Sequence, residues 1–84
     1  MKTITEKQLA YWLTERLHEN QELMHYAVTA CTFALNEDFT TSFISCEVRA
    51  NAGDPDNEAV QARIDELVKE AKHLFEFEIN REHS

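Results

Sequence analysis

The residues of this 84-residue chain whose chemistry could exceed packing are two cysteines and three Glu-x-x-His pairs. Cys31 and Cys46 stand fifteen positions apart in TACTFALNEDFTTSFISCEV, residues 29–48. A thiol pair could carry redox exchange, a metal or a nucleophile. Redox motifs bring cysteines together as C-x-x-C, and structural zinc takes about four ligands at short paired spacings. A nucleophilic thiol needs a neighbouring base or another activating group. This spacing supplies none of these, so small buried hydrophobes in a sheet are the favoured reading of both residues.

The Glu-x-x-His pairs are Glu15/His18, Glu22/His25 and Glu70/His73. The spacing sets a carboxylate and an imidazole one helical turn apart, as in di-iron carboxylate bundles, where the ligands project inward. At about 100° per residue, Glu15, His18, Glu22 and His25 would centre about 180° from a stripe of Leu9, Leu13 and Leu17. Glu70 and His73 fall off the apolar stripe of a later helix. Both sets point to water, so no metal and no cofactor is expected. The chain has no Gly-rich phosphate loop, G-x-S-x-G elbow or H-E-x-x-H motif. Paired acids such as Asp65 and Glu66 lie on a solvated helix face, which does not favour general-acid work. Enzymatic activity is not expected.

The elements that would position these residues are legible from periodicity. In ITEKQLAYWLTERLHEN, Thr5 and Gln8 form an S/T-x-x-Q capping box, with Ile4 and Leu9 at the positions of a hydrophobic staple. Leu9, Trp12, Leu13 and Leu17 recur at helical spacing, predicting a helix from about Glu6 to Asn20. FTTSFISCEV is rich in β-formers, and Asn36-Glu37-Asp38 supplies turn residues, so a β-hairpin is predicted. In the register of a four-residue loop, Cys31, Phe33 and Leu35 share a face with Ile44, Cys46 and Val48, and Cys31 faces Ile44 while Cys46 faces Thr29. Tyr26, Val28, Ala30 and Phe43 then occupy the other face. A three-residue loop reshuffles these sets, and a helix continued through residues 21–35 is the competing reading.

After NAGDP, Asp54 suits an N-cap and Pro55 the first helical position, with Asp56 and Glu58 complementing the helix dipole. Val60, Ile64, Leu67, Ala71 and Leu74 define an apolar stripe, and Asp65 and Lys69 an i,i+4 pair. The helix is expected to reach Leu74. Beyond it, FEFEIN alternates, so Phe75, Phe77 and Ile79 could line a short strand or continue the helix. The fold class is α+β, a single α-β-β-α domain over residues 1–84 with a frayed end at 80–84.

Sixteen acids against eight Lys and Arg give a net charge of −8, and no basic cluster is present. Direct nucleic-acid or anionic-membrane binding is disfavoured, because phosphate binding needs clustered cations. No apolar run approaches the roughly 20 residues that span a bilayer, and MKTITEKQL lacks a secretory core, so a cytoplasmic location is expected. Residues 51–84 hold nine acids against four bases. Dense acidity can imitate the phosphates of DNA, but Arg63, Lys69 and Lys72 interrupt it on the final helix.

Two amphipathic helices cover only one face of a hairpin whose both faces are apolar. A homodimer, sharing a sheet or a sheet face, is therefore expected. Its interface would draw on Tyr11, Tyr26, Val28, Phe43 and Phe77. The expected function is a non-enzymatic protein-binding module, a small adaptor or inhibitor in the manner of bacterial or phage accessory proteins, with a partner of basic or mixed surface. The alternatives are an acidic DNA mimic and a metal-binding protein using the Glu-x-x-His pairs.

Overall fold

The computed structural model describes residues 2–54 and 57–79. The expectation for residues 80–84, and the assignments of Pro55 and Asp56, lie outside the described residues. The chain runs β1 (Lys2–Thr5), α1 (Glu6–His18), a 3-10 turn (Gln21–Leu23), β2 (Tyr26–Leu35), β3 (Thr41–Ala50), α2 (Glu58–Leu74) and β4 (Phe75–Glu78). Two helices with both parallel and antiparallel strand pairs make an α+β architecture.

The capping box starts α1 as its sequence dictates. The Thr5 amide donates to Gln8 Oε1 at 2.9 Å, and the Gln8 amide donates to Thr5 Oγ1 at 3.3 Å. Leu9, Leu13 and Leu17 are fully buried on its core side. The helix stops at His18, short of Asn20, and residues 21–35 are a 3-10 turn and a strand rather than more helix. At α2, the side chain of Asn57 accepts from the Ala59 amide at 2.8 Å, so the cap is Asn57 and not Asp54. Asp54 instead offers its carbonyl to the Asn57 amide in the turn that precedes the helix. Val60, Ile64, Leu67, Val68 and Ala71 face the core, whereas Leu74, the last residue of the expected stripe, is exposed. The polar side carries Arg63–Glu66 at 3.2 Å as its ion pair.

The outline α-β-β-α is corrected at its N-terminal end by β1, and the alternative left open at FEFEIN resolves to a strand, β4. KTIT and FEFE form a parallel ribbon with Ile4 opposite Phe77, and Ile4 is buried where a staple alone was expected. The ribbon joins the hairpin through a stacked pair, Phe33 and Phe77, with centroids 4.8 Å apart and rings 7° from parallel. Phe75 meets Trp12 edge-on at 5.9 Å.

The four-residue-loop register is corrected, and the three-residue loop left as the other reading is the one present. Two irregularities break the ladder: Thr29 is an extra residue on β2 and Ile44 on β3. Each bulge moves the following residues to the opposite face, because side chains alternate with period two. Tyr26, Val28, Cys31 and Phe33 are consequently all buried, with Phe43, Cys46, Val48 and Ala50 packed against the same core. Leu35 and Ile44, expected on the apolar face, are exposed. Cys31 stands opposite Cys46, not Ile44. The two apolar faces predicted for an even ladder are thus one face, and it is covered by the chain's own helices and by β4. The core face therefore needs no second copy to cover it, while β3 keeps one edge without a strand partner among the described residues.

The outer edge of β2 is closed by one ridge of α1. Glu6, Ala10, Thr14 and His18 follow at four-residue intervals, and residues so spaced line one side of a helix. Glu6 Oε2 accepts from the Phe33 amide at 2.7 Å. Thr14 Oγ1 accepts from the Val28 amide at 2.9 Å, and its proton is shared between the carbonyls of Ala10 (2.9 Å) and Val28 (3.2 Å). His18 Nε2 lies 2.8 Å from the Tyr26 carbonyl, which places a proton on that nitrogen. At the hairpin's base the Asn51 amide donates to the His25 carbonyl at 2.8 Å. Gly53 follows at φ +86, and any Cβ there would lie 3.5 Å from the Tyr26 hydroxyl.

Candidate interaction surface

The cysteines are positioned by the bulges and disarmed by burial. Burial pushes the Cys31 thiol up to about 12, with smaller contributions from Cys46 and Glu6. Burial likewise raises Cys46, with Asp65 adding to the effect. At neutral pH both stay protonated, and a protonated thiol is a poor nucleophile. The arrangement does not resemble an activated catalytic cysteine.

The Glu-x-x-His residues do not converge. Among the described residues no three His, Cys, Asp or Glu side chains group as metal ligands would. His18 is committed to the Tyr26 carbonyl, so its task is to hold the start of β2. Because α1 ends at His18, Glu22 and His25 lie on the 3-10 turn and just beyond it, outside the helix face on which they were compared. Glu70 and His73 are exposed on α2. Among the described residues no helix is long and apolar enough to cross a membrane.

The five residues expected at an interface separate in the same way. Tyr26 and Val28 are 7% and 5% exposed, and they pack inside the chain. Their place on a second sheet face is corrected, because the Thr29 bulge keeps them in phase with Cys31 and Phe33. Phe43 is half-buried against Phe33, with centroids 6.5 Å apart, so it too is on the core face. Phe77 is half-buried and stacked on Phe33. Tyr11 alone of the five stands out from the surface, 68% exposed, with the nearby Glu15 carboxylate raising its hydroxyl above the ordinary range.

Among the described residues a different aromatic is the most exposed large apolar side chain: Phe39, at 85%. It sits at the hairpin tip with φ +67, the only described non-glycine residue with positive φ. The tip is tightly bonded around it. The Asn36 amide donates to the Thr40 carbonyl at 2.8 Å, and the Phe39 amide donates to the Asn36 carbonyl at 3.0 Å. Asn36 Nδ2 donates to the hydroxyls of Thr40 and Ser42, both at 2.9 Å. The Thr40 hydroxyl donates to Asp38 Oδ1 at 2.6 Å and its amide to the same oxygen at 3.1 Å. These bonds from Thr40 hold the Asp38 carboxyl below its ordinary range, so it stays charged. The pattern is a three-residue hairpin loop closed by a left-handed residue, where glycine is the usual occupant. Phe39 breaks that rule.

Beside the tip lies a groove of about 350 Å³, bounded by residues 39–41, by Phe75, Glu76 and Phe77 of β4, and by Lys72. Sequence reasoning identified the turn at Asn36-Glu37-Asp38 but not the residue after it. The available signal was the absence of glycine at the fourth position of a short turn between two strands. Set against family models, characterised proteins and solved structures, the chain matches none of them.

Proposed function

We propose that this chain is a non-enzymatic protein-binding module that engages its partner through the hairpin tip. The observation that carries the reading is Phe39: a bulky residue in the left-handed region, almost fully exposed, in a loop whose neighbours are fixed by hydrogen bonds. Left-handed backbone costs a non-glycine residue about 1–2 kcal/mol, and a ring left in water gains nothing from burial. A residue that strains the backbone and adds no burial in return points to a task outside folding. Aromatic side chains are the usual anchors of binding hot spots, and a preorganised loop loses little entropy on docking. The groove next to Phe39 extends the contact onto Phe75 and Phe77.

Charge selects the kind of partner. Glu37 and Asp38 directly precede Phe39, and the chain carries −8 overall. A basic protein surface is the complement, and such pairs associate faster at low salt. The test is a photoreactive phenylalanine analogue placed at position 39 and, as the control, at position 11. Position 39 should capture one protein, at a yield that falls with salt and is suppressed by unlabelled wild-type chain but not by Phe39→Gly. Equal capture from both positions, or equal competition by Phe39→Gly, would remove the tip from the reading.

A further inference from the structure

We propose that Cys31 and Cys46 form a latent cross-strand disulfide site, oxidised by low-molecular-weight disulfides of the glutathione class to staple β2 to β3. The register is the foundation. An unbroken ladder continued from Val28 opposite Val48 would set Cys31 opposite Ser45. The extra residue at Thr29 shifts the pairing by one and sets Cys31 opposite Cys46, and the extra residue at Ile44 shifts it back before Phe33 meets Phe43. Only the three pairs Ala30–Glu47, Cys31–Cys46 and Thr32–Ser45 lie between the two shifts. The two cysteines of the chain are the central pair, and both side chains are on the core face. Directly opposed residues of an antiparallel pair have Cα atoms about 4.5–5.5 Å apart, inside the range of about 4.4–6.8 Å that a disulfide bridges. Both thiols are free.

The exchange balances in two steps. Cys46, the half-exposed thiol, loses its proton and attacks one sulfur of oxidised glutathione. A mixed disulfide forms and one glutathione thiolate leaves, taking up a proton. Cys31 then loses its proton and attacks Sγ of Cys46, the Cys31–Cys46 bond forms, and the second glutathione thiolate leaves and is protonated. Two protein thiols become one disulfide, and one oxidised glutathione becomes two reduced molecules. Because burial raises both thiols, thiolate is scarce at neutral pH, so the first step should quicken as the pH rises. The bridge closes a loop over Thr32–Ser45, the segment that carries the Phe39 tip.

The test uses the full reduced chain, folded, with excess oxidised glutathione at pH 8, acid quenching, and mass spectrometry of the intact protein and its peptides. The expected product is a monomer lighter by two hydrogens, with the Cys31 and Cys46 peptides linked and the bond reversed by dithiothreitol. Its melting temperature should rise by about 10–20 °C, as closure of a loop of this size implies. A mixed disulfide at Cys46 that persists, a bridge that forms only in urea, or an oxidised form that melts below the reduced one would each overturn the proposal. Phenylarsine oxide, which binds two adjacent thiols at once, gives a second reading. It should bind the wild-type chain with one-to-one stoichiometry and fail to bind Cys46→Ala. Equal binding to both would count against facing thiols.

Discussion

The outer edge of β2 and the tip of the same hairpin treat the backbone in opposite ways. Along the edge, α1 supplies side chains to four strand groups: Glu6 for the Phe33 amide, Thr14 for the Val28 amide and carbonyl, His18 for the Tyr26 carbonyl. An open edge would template pairing with another chain, and the helix ridge blocks it. At the tip the hydrogen bonds instead hold a bulky residue in a conformation suited to glycine and leave its ring in water. One region spends side chains to satisfy the fold. The other uses satisfied backbone to display a side chain the fold does not use.

If the edge is structural, damage to it should register as stability, and Thr14 should show the largest effect. Thr14→Val keeps the branched shape but removes the acceptor for the Val28 amide and the donor for its carbonyl. The expected loss is about 3 kcal/mol, since each part-buried group left unpaired costs about 1–3 kcal/mol. Urea unfolding measures it, and Thr14→Ser, which keeps the hydroxyl, should recover most of it. Equal losses in Thr14→Val and Thr14→Ser would mean that the methyl, not the hydroxyl, matters. Glu6→Ala comes next, at about 1.5 kcal/mol, because it frees one amide and removes an acid from the first turn of α1. Neither change should alter capture of a partner at position 39 per folded molecule. A Glu6→Ala chain as stable as wild type would show that water replaces the carboxylate at the Phe33 amide.

What the sequence made legible follows the range of the forces involved. The capping box at Thr5 and Gln8 and the stripes of both helices are local, set within a few residues, and they stand as read apart from the exposed Leu74. The cap of α2 was misplaced because Asp54, Asp56 and Asn57 are all competent caps within four positions, and only the turn geometry chooses Asn57. β1 was not legible, because KTIT has one apolar residue and its partner strand lies at the far end of the chain. The hairpin strands could be seen but not their register. Alternation assumes an even ladder, and nothing in the types of Thr29 or Ile44 announces that each is an extra residue. That one gap displaced the cysteine partners, moved Tyr26, Val28 and Phe43 to the wrong face, and supplied the second apolar face in the case for a dimer.

The smallest expected change is also the sharpest, because its sign is opposite to that of the edge substitutions. Phe39→Gly relieves about 1–2 kcal/mol of left-handed strain and adds about 0.5–1 kcal/mol of backbone entropy to the unfolded chain. Little burial is lost, since the ring is 85% exposed. The net expectation is a gain of about 0.5 kcal/mol in urea unfolding, with the slope of the transition unchanged. Phe39→Ala removes the ring but keeps the strain, so it should be near neutral, and the gap between the two variants isolates the backbone contribution. A residue whose replacement by glycine strengthens the fold is not retained for the fold. If Phe39→Gly instead weakens the chain by 1 kcal/mol or more, on the order of a packed contact, the ring belongs with Phe75 and Phe77 as structure. The tip would then be no different in kind from the edge that α1 guards.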